Sequence, residues 1–216
     1  MEISVCNAGK IINKALILNN VNLTLNSGRI YGLYGPNGSG KTMFMRLIAG
    51  LIRPTTGSVR INGLILGKDI DFPPSIGVLI ENPALLPNYT GYDNLKLLAE
   101  IKGLISTTEV RKSIERVGLN PDDKRKYRKY SLGMKQRIGI AAAIMEHPDI
   151  ILLDEPTNAL DDSGVSQIKQ ILFDERDRGA LIVIACHDSY LLEELADEIF
   201  FVNAGTIAKR CIHEEE

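Results

Sequence analysis

Lys41 and Thr42 close the run Gly35-Pro36-Asn37-Gly38-Ser39-Gly40-Lys41-Thr42. That run fits the phosphate-loop pattern G-x-x-x-x-G-K-[ST]. Its glycines permit backbone conformations in which successive N–H groups converge on one anion. A helix opening at the same point adds its positive N-terminal end. Lys41 has the reach and charge to contact β- and γ-phosphates, and the Thr42 hydroxyl can ligate Mg²⁺. Gly35 through Thr42, with Met43 next in line, are therefore the expected nucleotide contacts. A second centre lies far downstream, where the apolar run "DIILLDEP" ends in Asp154 and Glu155. A carboxylate at a strand end can hold Mg²⁺, directly or through water. A second one beside it can take a proton from an attacking water. Asp154 is thus the expected metal partner and Glu155 the expected general base.

The elements that must position these residues follow from the hydrophobic pattern. Short apolar runs alternate with helical spacing, which predicts an α/β fold with a largely parallel sheet. "RIYGLYG" reads as the strand before the glycine loop and "KTMFMRLIAGL" as the helix after it. "SVRINGLIL" and "IGVLIE" read as further strands. From Pro83 to His147 the pattern is mostly helical, with "NLKLLAEIKGL", "TEVRKSIERVGL" and "SLGMKQRIGIAAAIME" as helices. Strands return at "DIILLDE" and "ALIVIACH". Asp188 and Ser189 supply N-caps for the helix "DSYLLEELADE". "EIFFVNAGTIAKR" reads as a hairpin turning at Asn203-Ala204-Gly205. One domain over 1–216, with a helical insert over 83–147, fits this order.

The net charge of −2 argues against a general nucleic-acid binder. Three scattered cysteines, Cys6, Cys186 and Cys211, show no metal-ligand spacing and predict a reducing cytoplasm rather than a disulfide scaffold. No signal peptide is visible. No stretch approaches the roughly 20 apolar residues that a membrane-spanning helix needs.

Three more segments narrow the class. "YSLGMKQR" precedes an apolar helix, "NALD" follows the Asp-Glu pair directly, and His187 ends the last buried strand in "ACHD". Phosphate loop, signature, strand-end acids, D-loop and switch histidine, in that order, resemble the ATP-binding subunit of an ABC transporter. The resemblance covers essentially the whole chain. It implies a P-loop NTPase fold with an N-terminal antiparallel β part beside the parallel core. It also implies a head-to-tail dimer, of two copies or of this chain with a similar one, that holds two ATP molecules with Mg²⁺. Ser131 and Gly133 would then face the γ-phosphate bound by the other protomer, and Asp161 would report across the interface. His187 would contact the γ-phosphate and hold Glu155, although a core histidine is the simpler reading of that residue alone. The implied partner is a transmembrane permease, which would keep this chain peripheral on the inner face of the cell membrane. A soluble ABC ATPase acting on nucleic acid or translation is the alternative. A P-loop kinase or GTPase is disfavoured by the signature and by the absence of a guanine-reading Asn-Lys-x-Asp motif.

Within the family, "SLGMKQR" is similar to the signature of peptide-antibiotic exporters of the bacitracin and lantibiotic type. Glu81 falls where the family usually has a glutamine, which again resembles those exporters, and it is a candidate for sensing Mg²⁺. A surface acid at a strand end is the plainer reading of Glu81. The basic run Asp122 to Tyr130 is either a solvated face or a contact for lipid headgroups or a partner loop.

The family stacks adenine on an aromatic residue upstream of the phosphate loop. Here no aromatic precedes Tyr31, and Ile11 or Ile12 falls near that place. An aliphatic side chain covers a base but lacks the quadrupole of a ring. ATP and GTP should therefore compete within about tenfold, or about 1.4 kcal/mol. Competition titration with a fluorescent nucleotide measures this, and a preference of several hundredfold would mean that another residue reads adenine.

Overall fold

A computed structural model of the chain describes residues 1–81 and 83–209. Two sheets and six α-helices make up these residues. Strands β1 (Glu2–Ile12), β2 (Ala15–Asn26), β4 (Thr56–Ile61) and β5 (Leu64–Ile65) form an antiparallel sheet in the order β2-β1-β4-β5. Strands β3 (Arg29–Tyr34), β6 (Ile76–Leu79), β7 (Ile150–Asp154), β8 (Leu181–Cys186), β9 (Glu198–Asn203) and β10 (Thr206–Lys209) form the second sheet. Its order is β10-β9-β3-β8-β7-β6, parallel throughout except for the β9–β10 hairpin.

Both faces of the parallel sheet are covered, which is why β7 and β8 read as unbroken apolar runs. Ile150, Leu152, Leu181 and Val183 point into one core, with α1 (Lys41–Ile48) and the antiparallel sheet. Ile151, Leu153, Ile182 and Ile184 point into the other. That second core also takes α2 (Gly91–Lys102), α3 (Thr107–Arg116), α4 (Leu132–Ile144), α5 (Asp162–Asp177) and α6 (Ser189–Leu195).

Local chemistry fixes the helix starts. Thr90 with Asp93, and Ser106 with Glu109, form capping boxes on α2 and α3. Ser131, Asp161 and Asp188 cap α4, α5 and α6. The run Asp122 to Tyr130 is tied to the helical segment before it: Tyr127 N donates to Tyr89 O at 2.8 Å, the Tyr127 hydroxyl to Pro83 O at 2.6 Å, and Arg111 pairs with Asp122 at 2.7 Å. Arg125 pairs with Asp123 at 2.7 Å, and Tyr127 and Tyr130 turn inward. The lysines of the run remain exposed. Between α3 and α5, Arg116 reaches the buried carboxylate of Glu175, which also receives Arg178 at 2.9 Å.

Two sequence expectations change. "SVRINGLIL" is two strands, β4 and β5, because Asn62 and Gly63 both take positive φ (48° and 83°) and reverse the chain. The strand in "IGVLIE" stops at Leu79, so Glu81 lies beyond it with φ of 61°. The expected C-terminal hairpin is present, turning through Ala204 and Gly205; Arg210 and Cys211 lie outside the described residues.

Helix α4 approaches β6 at backbone distance. A Cβ at Gly77 would stand 1.7 Å from the Ala143 carbonyl oxygen. Gly77→Ala should therefore destabilise the chain by about 1–3 kcal/mol through overpacking. Urea unfolding should give a lower midpoint at unchanged slope.

Candidate active site

The phosphate loop leaves the C-terminal end of β3 and runs into α1. Gly35 accepts no side chain, since a Cβ there would lie 2.1 Å from the Val202 carbonyl oxygen on β9. Gly40 stands at the helix start with φ of 113°, a conformation suited to glycine. The turn of the β9–β10 hairpin braces the loop: Gly205 N donates to Ser39 O at 2.9 Å, and Asn19 N donates to Gly205 O at 2.8 Å.

Lys41 is buried and folds back over the loop, donating to Gly35 O at 2.6 Å and Pro36 O at 3.1 Å. Thr42 Oγ1 donates to Asp154 Oδ2 at 2.7 Å, which joins the loop to the end of β7. Burial raises the pKa of the Asp154 carboxyl, against the Thr42 hydrogen bond that lowers it; the neighbouring Glu155 raises it further. Ser39 Oγ is buried without a hydrogen-bond partner, and among the described residues no other buried side-chain atom is so placed. An unpartnered buried hydroxyl in the phosphate loop suits a phosphate oxygen. A hydroxyl and a carboxylate in contact are a hard-oxygen pair suited to Mg²⁺. The residues present fit both groups.

These side chains line one cavity of about 580 Å³. Asn37 through Met43, Glu81, Asp154 and Glu155 all border it, and so do Ile17, Leu132, Gln136 and Asn158. Ile11 and Ile12 do not; both are exposed, and Ile17 is the aliphatic residue on the wall. Glu81 sits at the rim with its Oε1 2.7 Å from Arg46 of α1, a pairing that its position in the sequence did not suggest.

Glu155 follows β7 with φ of 49°, and its N–H donates to Ala185 O on β8 at 2.8 Å. His187 Nδ1 lies 2.9 Å from Glu155 Oε2. An ionised carboxylate only accepts, so Nδ1 carries the hydrogen.

The signature string contacts its own chain at each of its functional letters. Ser131 Oγ accepts from Met134 N at 3.2 Å and is exposed; it does not line the cavity, although Leu132 beside it does. Gly133 lies against the D-loop, where a Cβ would stand 2.6 Å from the Ala159 carbonyl oxygen. Gln136 Nε2 donates to Glu155 O at 2.9 Å, and Arg137 Nη2 reaches Asp161 Oδ1 at 3.2 Å. Asp161 also accepts from Ser163 and from Gly164 N, and the Ser163 hydrogen bond leads the causes that hold its carboxyl below the usual range. Sequence reading gave no role at the site to Ile17, Arg46, Gln136, Asn158 or Gly205; Gln136 and Asn158 stood inside the signature and D-loop strings and Gly205 inside the expected hairpin turn, whereas Ile17 and Arg46 lay in no motif.

A glycine loop on a strand-to-helix turn, an Asp-Glu strand end, a histidine bound to the glutamate and a capped signature helix together define an ABC-type ATPase cassette. Residues 18–158 match the ABC transporter family, and the chain belongs to it, as an ATP-hydrolysing subunit. The ABC transporter ATP-binding protein YybJ of Bacillus subtilis is 49% identical over 95% of this chain and 94% of its own. The bacitracin transport ATP-binding protein BcrA of Enterococcus faecalis is 40% identical, over 94% of this chain and 67% of that protein. The lantibiotic transport ATP-binding protein SrtF of Streptococcus pyogenes is 39% identical over 93% and 86%. Among solved structures, a dimeric post-hydrolysis state of the cassette MJ0796 bound to ADP and Pi superimposes with a TM-score of 0.86. It covers 99% of this chain and 100% of that one at 25% identity. Among the described residues no helix is long and apolar enough to cross a membrane.

Asp154 yields a prediction about stability. A carboxyl whose pKa is raised on folding holds its proton more tightly in the folded than in the unfolded chain. Unfolding free energy therefore falls as pH rises through the carboxylate range. Asp154→Asn removes that dependence. Without nucleotide, the variant should be more stable than wild type at pH 7, and the gain should vanish at acid pH. Urea midpoints measured across pH test this; equal midpoints at pH 7 would mean that Asp154 carries no desolvation strain.

Proposed function

We propose that residues 1–216 form one nucleotide-binding domain, with 83–147 as a helical insert, that hydrolyses Mg-ATP to drive a separate transmembrane permease. The observation that carries this reading is the single cavity joining the phosphate loop, Thr42, Asp154 and Glu155. Gly35 through Met43 would hold the phosphates, with Lys41 exchanging its two carbonyl partners for phosphate oxygens. Thr42 and Asp154 would hold Mg²⁺, which when bound neutralises phosphate charge. Glu81 is a further ligand candidate and would have to leave Arg46 to act. Glu155 would accept a proton from the attacking water, and His187, through its Nδ1 hydrogen bond, would orient that carboxylate.

Ser131 is exposed and Gly133 half-buried at the start of α4, and neither lines this chain's own cavity, although Leu132 between them does. That supports their service to a second, similar chain, with Asp161 at the contact between the two. Closure of such a pair on ATP, and opening after hydrolysis, would move the permease. The relatives named for bacitracin and lantibiotic transport favour export of a peptide antibiotic, lantibiotic or drug, with this chain in the cytoplasm on the inner face of the membrane.

Glu155→Gln keeps the shape of the base and removes its proton affinity. It should bind ATP normally, lose at least about 100-fold in turnover, and dimerise with Mg-ATP more readily than wild type. Steady-state hydrolysis with size-exclusion chromatography checks both effects. Unchanged hydrolysis would remove Glu155 from the role of base.

A further inference from the structure

Cys186 ends β8 beside the two residues assigned above to proton transfer, and none of those roles uses its thiol. One ligand atom each from Glu155, Cys186 and His187 lies within 4.8 Å of the other two. The thiol sulfur lies within 4.8 Å of a Glu155 carboxylate oxygen and accepts from Asp188 N at 3.4 Å. Cys186 is 1% exposed, while the side chains of Glu155 and His187 are 21% and 63% exposed. The thiol is the floor of this cluster, and the carboxylate and imidazole are its mouth.

One sulfur, one nitrogen and one oxygen make a borderline-soft donor set. Zn²⁺ takes such ligands tetrahedrally, at about 2.3 Å to sulfur and about 2.0–2.2 Å to nitrogen and oxygen. Mg²⁺ prefers six oxygens and has no use for a thiol. Three protein ligands leave a fourth position open to water.

We infer that Glu155, Cys186 and His187 form a site for a borderline-soft divalent cation, Zn²⁺ or its mimic Co²⁺, and that filling it stops ATP hydrolysis. On binding, the Cys186 S–H bond breaks, its proton leaves to solvent, and a sulfur–metal bond forms. The His187 proton passes from Nδ1 to Nε2, which frees the Nδ1 lone pair for the metal. Glu155 binds as the carboxylate. One proton is released and no electron changes hands. Hydrolysis stops because the lone pairs that would accept the water proton are engaged by the metal. The binding half stands on the geometry of the three residues; the inhibitory half rests on Glu155 as general base.

The test uses the full chain carrying Cys6→Ser and Cys211→Ser, which leaves Cys186 as its sole thiol. This parent and its Cys186→Ser derivative are titrated with Co²⁺ and followed by absorbance. The parent should develop a thiolate-to-cobalt charge-transfer band that Zn²⁺ abolishes, and the derivative should not. In Mg-ATP hydrolysis, saturating Zn²⁺ should cut parent activity at least tenfold, reversibly with a chelator. Cys186→Ser should retain basal activity and need at least tenfold more Zn²⁺ for the same loss. Absence of a cobalt band, or its survival in Cys186→Ser, overturns the site. Equal Zn²⁺ sensitivity in the two proteins overturns it too, by locating inhibition at the Mg²⁺ ligands. A thiolate band with undiminished hydrolysis leaves the site intact, but overturns the inhibitory role and tells against Glu155 as base.

Discussion

Three adjacent parallel strands must end at the same level for this cassette to have a site. β3 delivers the phosphate loop, β7 delivers Asp154 and Glu155, and β8 delivers His187. The ladder pairs Tyr34 with Cys186 and Asp154 with Ala185. A slip of one residue in either pairing would turn every side chain of that strand to the other core. The apolar alternation of β7 and β8 between two buried faces therefore fixes the chemistry as well as the sheet. The Thr42–Asp154 hydrogen bond then closes the arrangement from above.

The signature helix shows how one short string can satisfy several demands at once. Ser131 caps the helix, Gly133 lets it lie against the D-loop, Gln136 holds the carbonyl of Glu155, and Arg137 reaches Asp161. Each contact is made within one chain. The exposed start of α4 is thus tied to the strand end that carries Glu155. Ser131 is linked to Glu155 of the same chain through the first turns of α4 and the Gln136 hydrogen bond.

Much of this was legible in the sequence because its signals are local. A phosphate loop needs glycines, lysine and threonine in consecutive positions. A buried parallel strand needs an unbroken apolar run. The β4–β5 reversal was also written locally, in Asn62-Gly63, but apolar residues on both sides hid it. Less legible were features that depend on register. β1 pairs with β2 through three irregularities, near Val5, Ala8 and Lys10. The residue that reaches the cavity wall is Ile17 on β2, not Ile11 or Ile12 at the end of β1, and a count along the chain does not tell which strand of a hairpin faces a site. The Arg46–Glu81 pair joins α1 to the segment after β6, and neither residue's neighbours in sequence announce it. Asp161 carried two signals in one residue, the end of the D-loop and the cap of α5, and the first drew attention from the helix that follows.

Gly77 and Gly139 give α4 a particular mechanical character. At Gly77 the helix meets the backbone of β6, and at Gly139 a Cβ would stand 2.8 Å from the Pro83 ring and 2.9 Å from Leu79. At Gly77 no side chain of the strand separates it from the helix backbone, and at Gly139 the helix backbone rests directly on the Leu79 and Pro83 side chains, so strand and helix have little room to roll past one another. α2 and α3, by contrast, meet their surroundings through side chains, which can change rotamer and let a helix tilt. A force applied near Pro83 would therefore pass through α4 as through a stiff lever, with little lost to repacking, and would arrive at its far end beside the D-loop. The flexible part of the helical segment would lie elsewhere, in the two helices that carry no such glycine contact with the sheet.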